Sequence, residues 1–263
     1  MPIRTPSLDL SLEVRSILIF AGVIGVIAAI LGALLATGSL NPESDTRMML
    51  SFGLGLIVVC ALSSSLAFLM KLRHFLLVLA LLAGLVAAVA LVLGWTPVEG
   101  LAKVVFATTA GLWIALMLTS ISQVLLISAL IIIVDIWSVF LGPTKKMVES
   151  GGPWIDYFTI NLPVFGADAV SRLGVSDIIF YSLFIGCALN WRLRRIVTAL
   201  ALALSFVATM MVGVSLEIGV PALPLLSTFF LLTNGDLLYR RFLEEPDEHR
   251  RKRSESRSPE PWK

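Results

Sequence analysis

The sequence predicts an all-α, polytopic transmembrane bundle of about eight spans, and three observations carry that expectation. Of the 263 residues, 57% belong to the AVILMFWYC set and only 14% are Asp, Glu, Lys or Arg. Soluble domains carry about 25% charged residues, so a water-soluble globule of this size has too little interior for so much hydrocarbon. Disorder and a coiled coil are excluded by the same composition. The mean hydropathy is +0.93, and the apolar residues form continuous runs, unlike the alternating pattern of a β-barrel. Finally, a bilayer core of about 30 Å needs about 20 apolar residues in a helix. Eight runs meet that need, roughly 16–38, 48–70, 75–95, 101–120, 122–141, 174–190, 196–216 and 221–239. Each must be helical, because unpaired backbone groups cannot be left in lipid.

Taken in order, the first run follows Arg4 and Arg15 and resembles a signal peptide. It is too long for a usual signal-peptide core and has no clear A-x-A site, which predicts a retained span. The chain then divides into an N-terminal four-span region (1–120), a second four-span region (121–239) with an outer loop at 142–173, and a charged tail (240–263) expected to be disordered. With eight spans both termini share a side. That side collects fifteen of the twenty Lys and Arg residues, including Lys71, Arg73, Arg192, Arg194 and Arg195. The other holds five, namely Arg47, Lys103, Lys145, Lys146 and Arg172. The positive-inside rule therefore places both termini in the cytoplasm. The compact chain points to a prokaryotic cytoplasmic membrane. The outer loop is too long for a mere connector, and Tyr157 to Phe165 (YFTINLPVF) has the alternation and β-branched content of a short strand.

The chemistry available inside the runs is narrow. A net charge of +2 does not imply nucleic acid. Cys60 and Cys187 lie within apolar runs, which argues against a disulfide frame and a Cys-based metal cluster. His74 and His249 lie in polar flanks, so neither an H-E-x-x-H zinc site nor a His-activated serine is available; Ser63, Ser64 and Ser65 read as packing residues, as do Gly22, Gly25, Gly53 and Gly55. An ionisable group deep in a span costs roughly 2.5–3.5 kcal/mol on insertion scales and is a functional candidate. The candidates are Asp135 and Asp177, with Glu217 and Asp236 nearer span ends. Counted at 1.5 Å per residue, Asp135 and Asp177 lie about 9 Å and about 6 Å below the same outer face, on consecutive antiparallel spans. From depth alone, two unrelated acids paired with backbone or water remain as good a reading as a facing dyad. A facing dyad would resist double ionisation and share one proton. One carboxyl can then take a proton from water while the other donates to a peptide carbonyl.

Three segments now resemble the presenilin and signal peptide peptidase family. Val134-Asp135-Ile136-Trp137-Ser138-Val139, followed by Gly142-Pro143 and Lys146-Met147-Val148-Glu149, is similar to the family's Tyr-Asp span. Leu173-Gly174-Val175-Ser176-Asp177, followed by Ile178-Ile179-Phe180-Tyr181-Ser182, is similar to its G-x-G-D segment. Pro221-Ala222-Leu223-Pro224 matches its P-A-L motif. The resemblance covers about residues 120–240 and departs at Val134 for Tyr, Ser176 for Gly and eight spans for nine. It implies an intramembrane aspartyl endopeptidase with Asp135 and Asp177 as the catalytic pair. Gly174, Ser176, Pro221, Ala222 and Leu223 would dock the substrate, and no cofactor would be needed because water is the nucleophile. The Ser176 hydroxyl is also placed to hydrogen-bond Asp177. Proline chemistry predicts an irregular stretch from Gly219 to Pro224 that offers carbonyls and the Ala222 and Leu223 amides; helix punctuation is the plainer reading of the same prolines. The implied partners are transmembrane or signal-peptide-like helical peptides within the lipid bilayer. A helical substrate must unwind to be cut, and the Tyr157–Phe165 strand could pair with the unwound segment. The competing expectations are a proton- or cation-coupled transporter or channel, which would use the same acids as a relay, and a helix-binding protein that does not cut.

Overall fold

The computed structural model describes residues 44–142, 154–163, 170–216 and 220–255. The run 16–38, Glu217 and Gly219 lie outside them. The described chain is mostly helical. It comprises α1 (Ser44–Leu66), a 3₁₀ turn (Ala67–Lys71), α2 (Arg73–Leu93), α3 (Thr96–Met117), α4 (Ile121–Phe140), α5 (Trp154–Phe158), strands β1 (Thr159–Pro163) and β2 (Val170–Gly174), α6 (Val175–Asn190), α7 (Arg195–Leu216) and α8 (Ala222–Glu255). Four helices are long and apolar enough to cross a membrane: Arg73–Leu93, Val98–Met117, Ile121–Phe140 and Arg195–Gly213. Their outward faces carry large apolar side chains such as Leu85, Leu126, Ile133 and Leu200, all more than half exposed to the surroundings. This is a surface made for lipid. The protein is thus a membrane protein by its helices.

Local signals set the helix ends. Ser120 caps α4, accepting the Gln123 N–H while the Gln123 side chain takes the Ser120 N–H in return. At the end of α2, Gly94 adopts φ +70°, the left-handed turn that lets the Trp95 N–H reach the Ala90 carbonyl. The end of α6 has the same geometry without the glycine. Arg192 sits at φ +47°, with Leu193 N–H on the Ala188 carbonyl and Arg192 N–H on the Leu189 carbonyl. A non-Gly residue there costs about 1–2 kcal/mol, only partly offset by its charge beside a helix C-terminus. Arg192→Gly is therefore expected to raise stability by about 0.5–1 kcal/mol, read as a higher thermal unfolding midpoint in detergent.

The core joins both halves of the chain. α3 packs along α6 and α2, while α8 packs against α4 and α7, and one cluster runs from Leu56 to Leu238. The α3–α6 contact depends on two glycines. A Cβ on Gly111 would lie 2.2 Å from the Ile179 carbonyl oxygen, and one on Gly186 would lie 2.5 Å from Ala115 Cβ. These, and not Gly53, which has nothing within 4 Å, are the close-contact glycines. Small residues let backbones approach, the main source of helix association in lipid. Gly111→Ala must push two backbones apart and is expected to cost about 1–3 kcal/mol, measurable by chemical or thermal unfolding. Polar locks add specificity. Ser63 Oγ meets Thr108 Oγ1 at 2.9 Å between α1 and α3, and buried Asn234 bridges α8 to Thr198 of α7 at 2.9 Å.

One expectation is corrected here. The strand at 157–165 begins two residues later, at Thr159, because Tyr157 and Phe158 end the short helix α5. Its partner, β2, was not anticipated; the antiparallel register sets Thr159 opposite Gly174 and Pro163 opposite Val170. α8 continues into the charged segment as far as Glu255.

Candidate active site

Asp177 is the third residue of α6, and the sequence around it explains its pose. Gly174 ends β2 and is the N-cap of α6, with φ −67° and ψ 136°. The Asp177 carboxylate reaches back to accept the Gly174 N–H. This is the acidic half of a capping box, in the turn where a helix dipole favours negative charge. The close approach needs glycine. A Cβ at 174 would lie 2.8 Å from Asp177 Oδ2 and 3.3 Å from its Cγ. Ser176 is exposed and makes no hydrogen bond to Asp177, so the anticipated hydroxyl contact is absent. At the second helical position its side chain is exposed, with its Oγ 3.4 Å from where a Cβ on Gly174 would lie.

Asp135 lies five residues before the end of α4 and is half-buried. Its Oδ2 accepts the Leu223 N–H at 3.1 Å. Leu223 is the second residue of α8, so this amide is one of the four that a helix start leaves without an internal partner. Pro221 precedes the helix and is buried, and Leu223 is 6% exposed. Ala222 and Pro224 already lie in the first turn of α8, where proline is tolerated. The irregular stretch is therefore shorter than the expected Gly219–Pro224.

The two acids interact electrostatically. Two helix N-termini, of α6 and α8, thus meet two carboxyls, each carboxyl holding one backbone N–H. Each amide and its helix dipole stabilise an anion locally. Among the described residues no group of three or more His, Cys, Asp or Glu stands together.

The other acids play other parts. Asp236 is exposed and forms a two-pronged pair with Arg194, at 2.9 Å and 2.7 Å. Sequence reasoning missed a second buried ionic site. Glu99 and Lys103, 7% and 6% exposed, pair on α3. Lys103 had been counted only as an outer-side charge. The signal was present as a Glu–Lys i, i+4 spacing at the mouth of a span. Away from the acids, a cavity of about 520 Å³ opens between α1, α6 and α7, lined by Cys60, Ser64, Tyr181, Arg194 and Leu200 among others. No family model, curated protein or solved structure matches the chain.

Proposed function

We propose that this protein is an intramembrane aspartyl endopeptidase that hydrolyses peptide bonds in transmembrane or signal-peptide-like helices. The observation that carries this reading is the Leu223 N–H on Asp135 at 3.1 Å together with the electrostatic interaction of Asp135 with Asp177, from three segments far apart in sequence. These are the segments that resemble the presenilin and signal peptide peptidase family. The eight-span arrangement belongs to the same proposal. The shorter apolar helices Gly55–Lys71 and Val175–Asn190 and the apolar first part of α8 would join the four long ones, with 16–38 completing the count. Charge counting sets both termini in the cytoplasm and the acids under the outer leaflet.

The chemistry needs one proton shared by the pair. The ionised carboxyl takes a proton from water as the water oxygen attacks the peptide carbonyl carbon. The protonated carboxyl donates to the carbonyl oxygen, giving a neutral tetrahedral diol. One carboxyl then returns a proton to the nitrogen while the other takes a proton from a diol hydroxyl, which breaks the C–N bond, releases a carboxylic acid and an amine, and leaves the pair with its one shared proton. The Leu223 and Gly174 amides hold the two acids in place throughout, so that the attack geometry is set in advance.

The test is purified protein in detergent or nanodiscs with a model transmembrane peptide, followed by mass spectrometry. Cleavage within the apolar segment, blocked by an aspartyl transition-state inhibitor, is the expected result. Intact peptide, or cutting that ignores the inhibitor, would overturn the proposal.

A further inference from the structure

Lys103 occupies an uncommon position. It is 6% exposed, within an apolar helix, beside Glu99 at 7%. Its ammonium has three donors and three acceptors: the Glu99 carboxylate, the Asp156 carbonyl and the Thr159 carbonyl, the last at 3.0 Å. The two carbonyls lie at the end of α5 and the start of β1, so a lysine from α3 caps a short helix that belongs to the outer hairpin. A Cβ on Gly100 of the same turn would lie 3.9 Å from Ile160 Cγ2 of β1, a residue 2% exposed. A buried ion pair is often no more stable than well-packed apolar residues of the same volume. What the pair supplies is placement.

The placement leads to the acid in a few steps. Thr159, held by Lys103, pairs across the sheet with Gly174. Gly174 caps α6, and its N–H holds the Asp177 carboxylate. We propose that Lys103, neutralised by Glu99, is a positioning residue for Asp177, fixing the base of the β1–β2 hairpin from which the helix of that acid begins. This inference rests on the proteolytic reading of the acid pair.

The experiment uses the full chain in nanodiscs. It compares Lys103→Met, the double variant Glu99→Gln/Lys103→Met and Asp177→Asn, reading peptide cleavage, thermal unfolding and amide exchange at 159–162 and 170–177. The single variant leaves Glu99 buried and unpaired, so it loses stability as well as position. The double variant has no unpaired charge and is expected to unfold near the wild-type temperature. Its kcat is nevertheless expected to stay about ten- to a hundredfold low, with KM changed less, as befits a misplaced reacting group. Amide exchange in the hairpin should rise by about tenfold or more in both variants. Wild-type exchange in the double variant, or a return of its kcat to the wild-type value, would overturn the inference. Should Asp177→Asn still cleave, the proteolytic reading fails on its own, and hairpin exchange alone then decides whether Lys103 is the clamp.

Discussion

Replacing Asp135 or Asp177 by Asn is expected to lower kcat for a transmembrane peptide by roughly 10²–10⁴-fold, the usual contribution of a positioned acid–base group. Asn is close to Asp in shape and its amide oxygen can still accept the Leu223 or Gly174 N–H, so the fold should persist. What is lost is the ability to take up and give back a proton. Either variant leaves the other carboxyl without its partner, so the double variant should be little worse than each single one, as for groups that act as a unit. The wild-type profile of kcat/KM against pH should be bell-shaped, because one carboxyl must be ionised and the other protonated. Binding of an uncut helical peptide, measured by fluorescence anisotropy, should survive both substitutions. A variant that still cleaves at the wild-type rate would remove the pair from the chemistry. A variant that instead abolishes ion flux in liposomes would favour a transporter.

Much of this was legible from the chain. Span positions follow from apolar runs because lipid demands them, and α2, α3, α4 and α7 fall within a few residues of the runs. The fixed rise per residue is what allows Asp135 and Asp177 to be compared in depth from the sequence. Pairing was less legible. Nothing local says that β1 finds a partner in 170–174, since a strand's partner is a tertiary fact and Val170–Gly174 (VSRLG) has a single β-branched residue to signal a strand. Glu99 and Lys103 were hidden for a related reason: a charge near a span end reads as solvated until something is found to cover it, and here the cover is the hairpin. The packing glycines show the same limit. Gly53 and Gly111 look alike in sequence, and only the arrival of Ile179 and Ser182 distinguishes the second.

The sharpest separation between stability and catalysis is expected at Gly174. Its backbone, φ −67° and ψ 136°, suits any residue, so alanine brings no dihedral strain. The new Cβ would lie 2.8 Å from Asp177 Oδ2 and 3.4 Å from Ser176 Oγ. Both neighbours are ends of side chains that can rotate away, so the clash is cheap to relieve. The cost to the fold is then that of alanine in place of glycine at an N-cap, on the order of 1 kcal/mol or less. The clash is relieved, however, by turning the carboxyl that interacts electrostatically with Asp135. A displacement of about 1 Å at a reacting group can cost about 10²-fold in rate. Gly174→Ala is therefore expected to unfold close to the wild-type temperature while its kcat falls by about 10²-fold, and Gly174→Val should fall further. If alanine at 174 cuts as fast as glycine, the carboxyl has found another route to the scissile bond, and the cap at Gly174 is structural only.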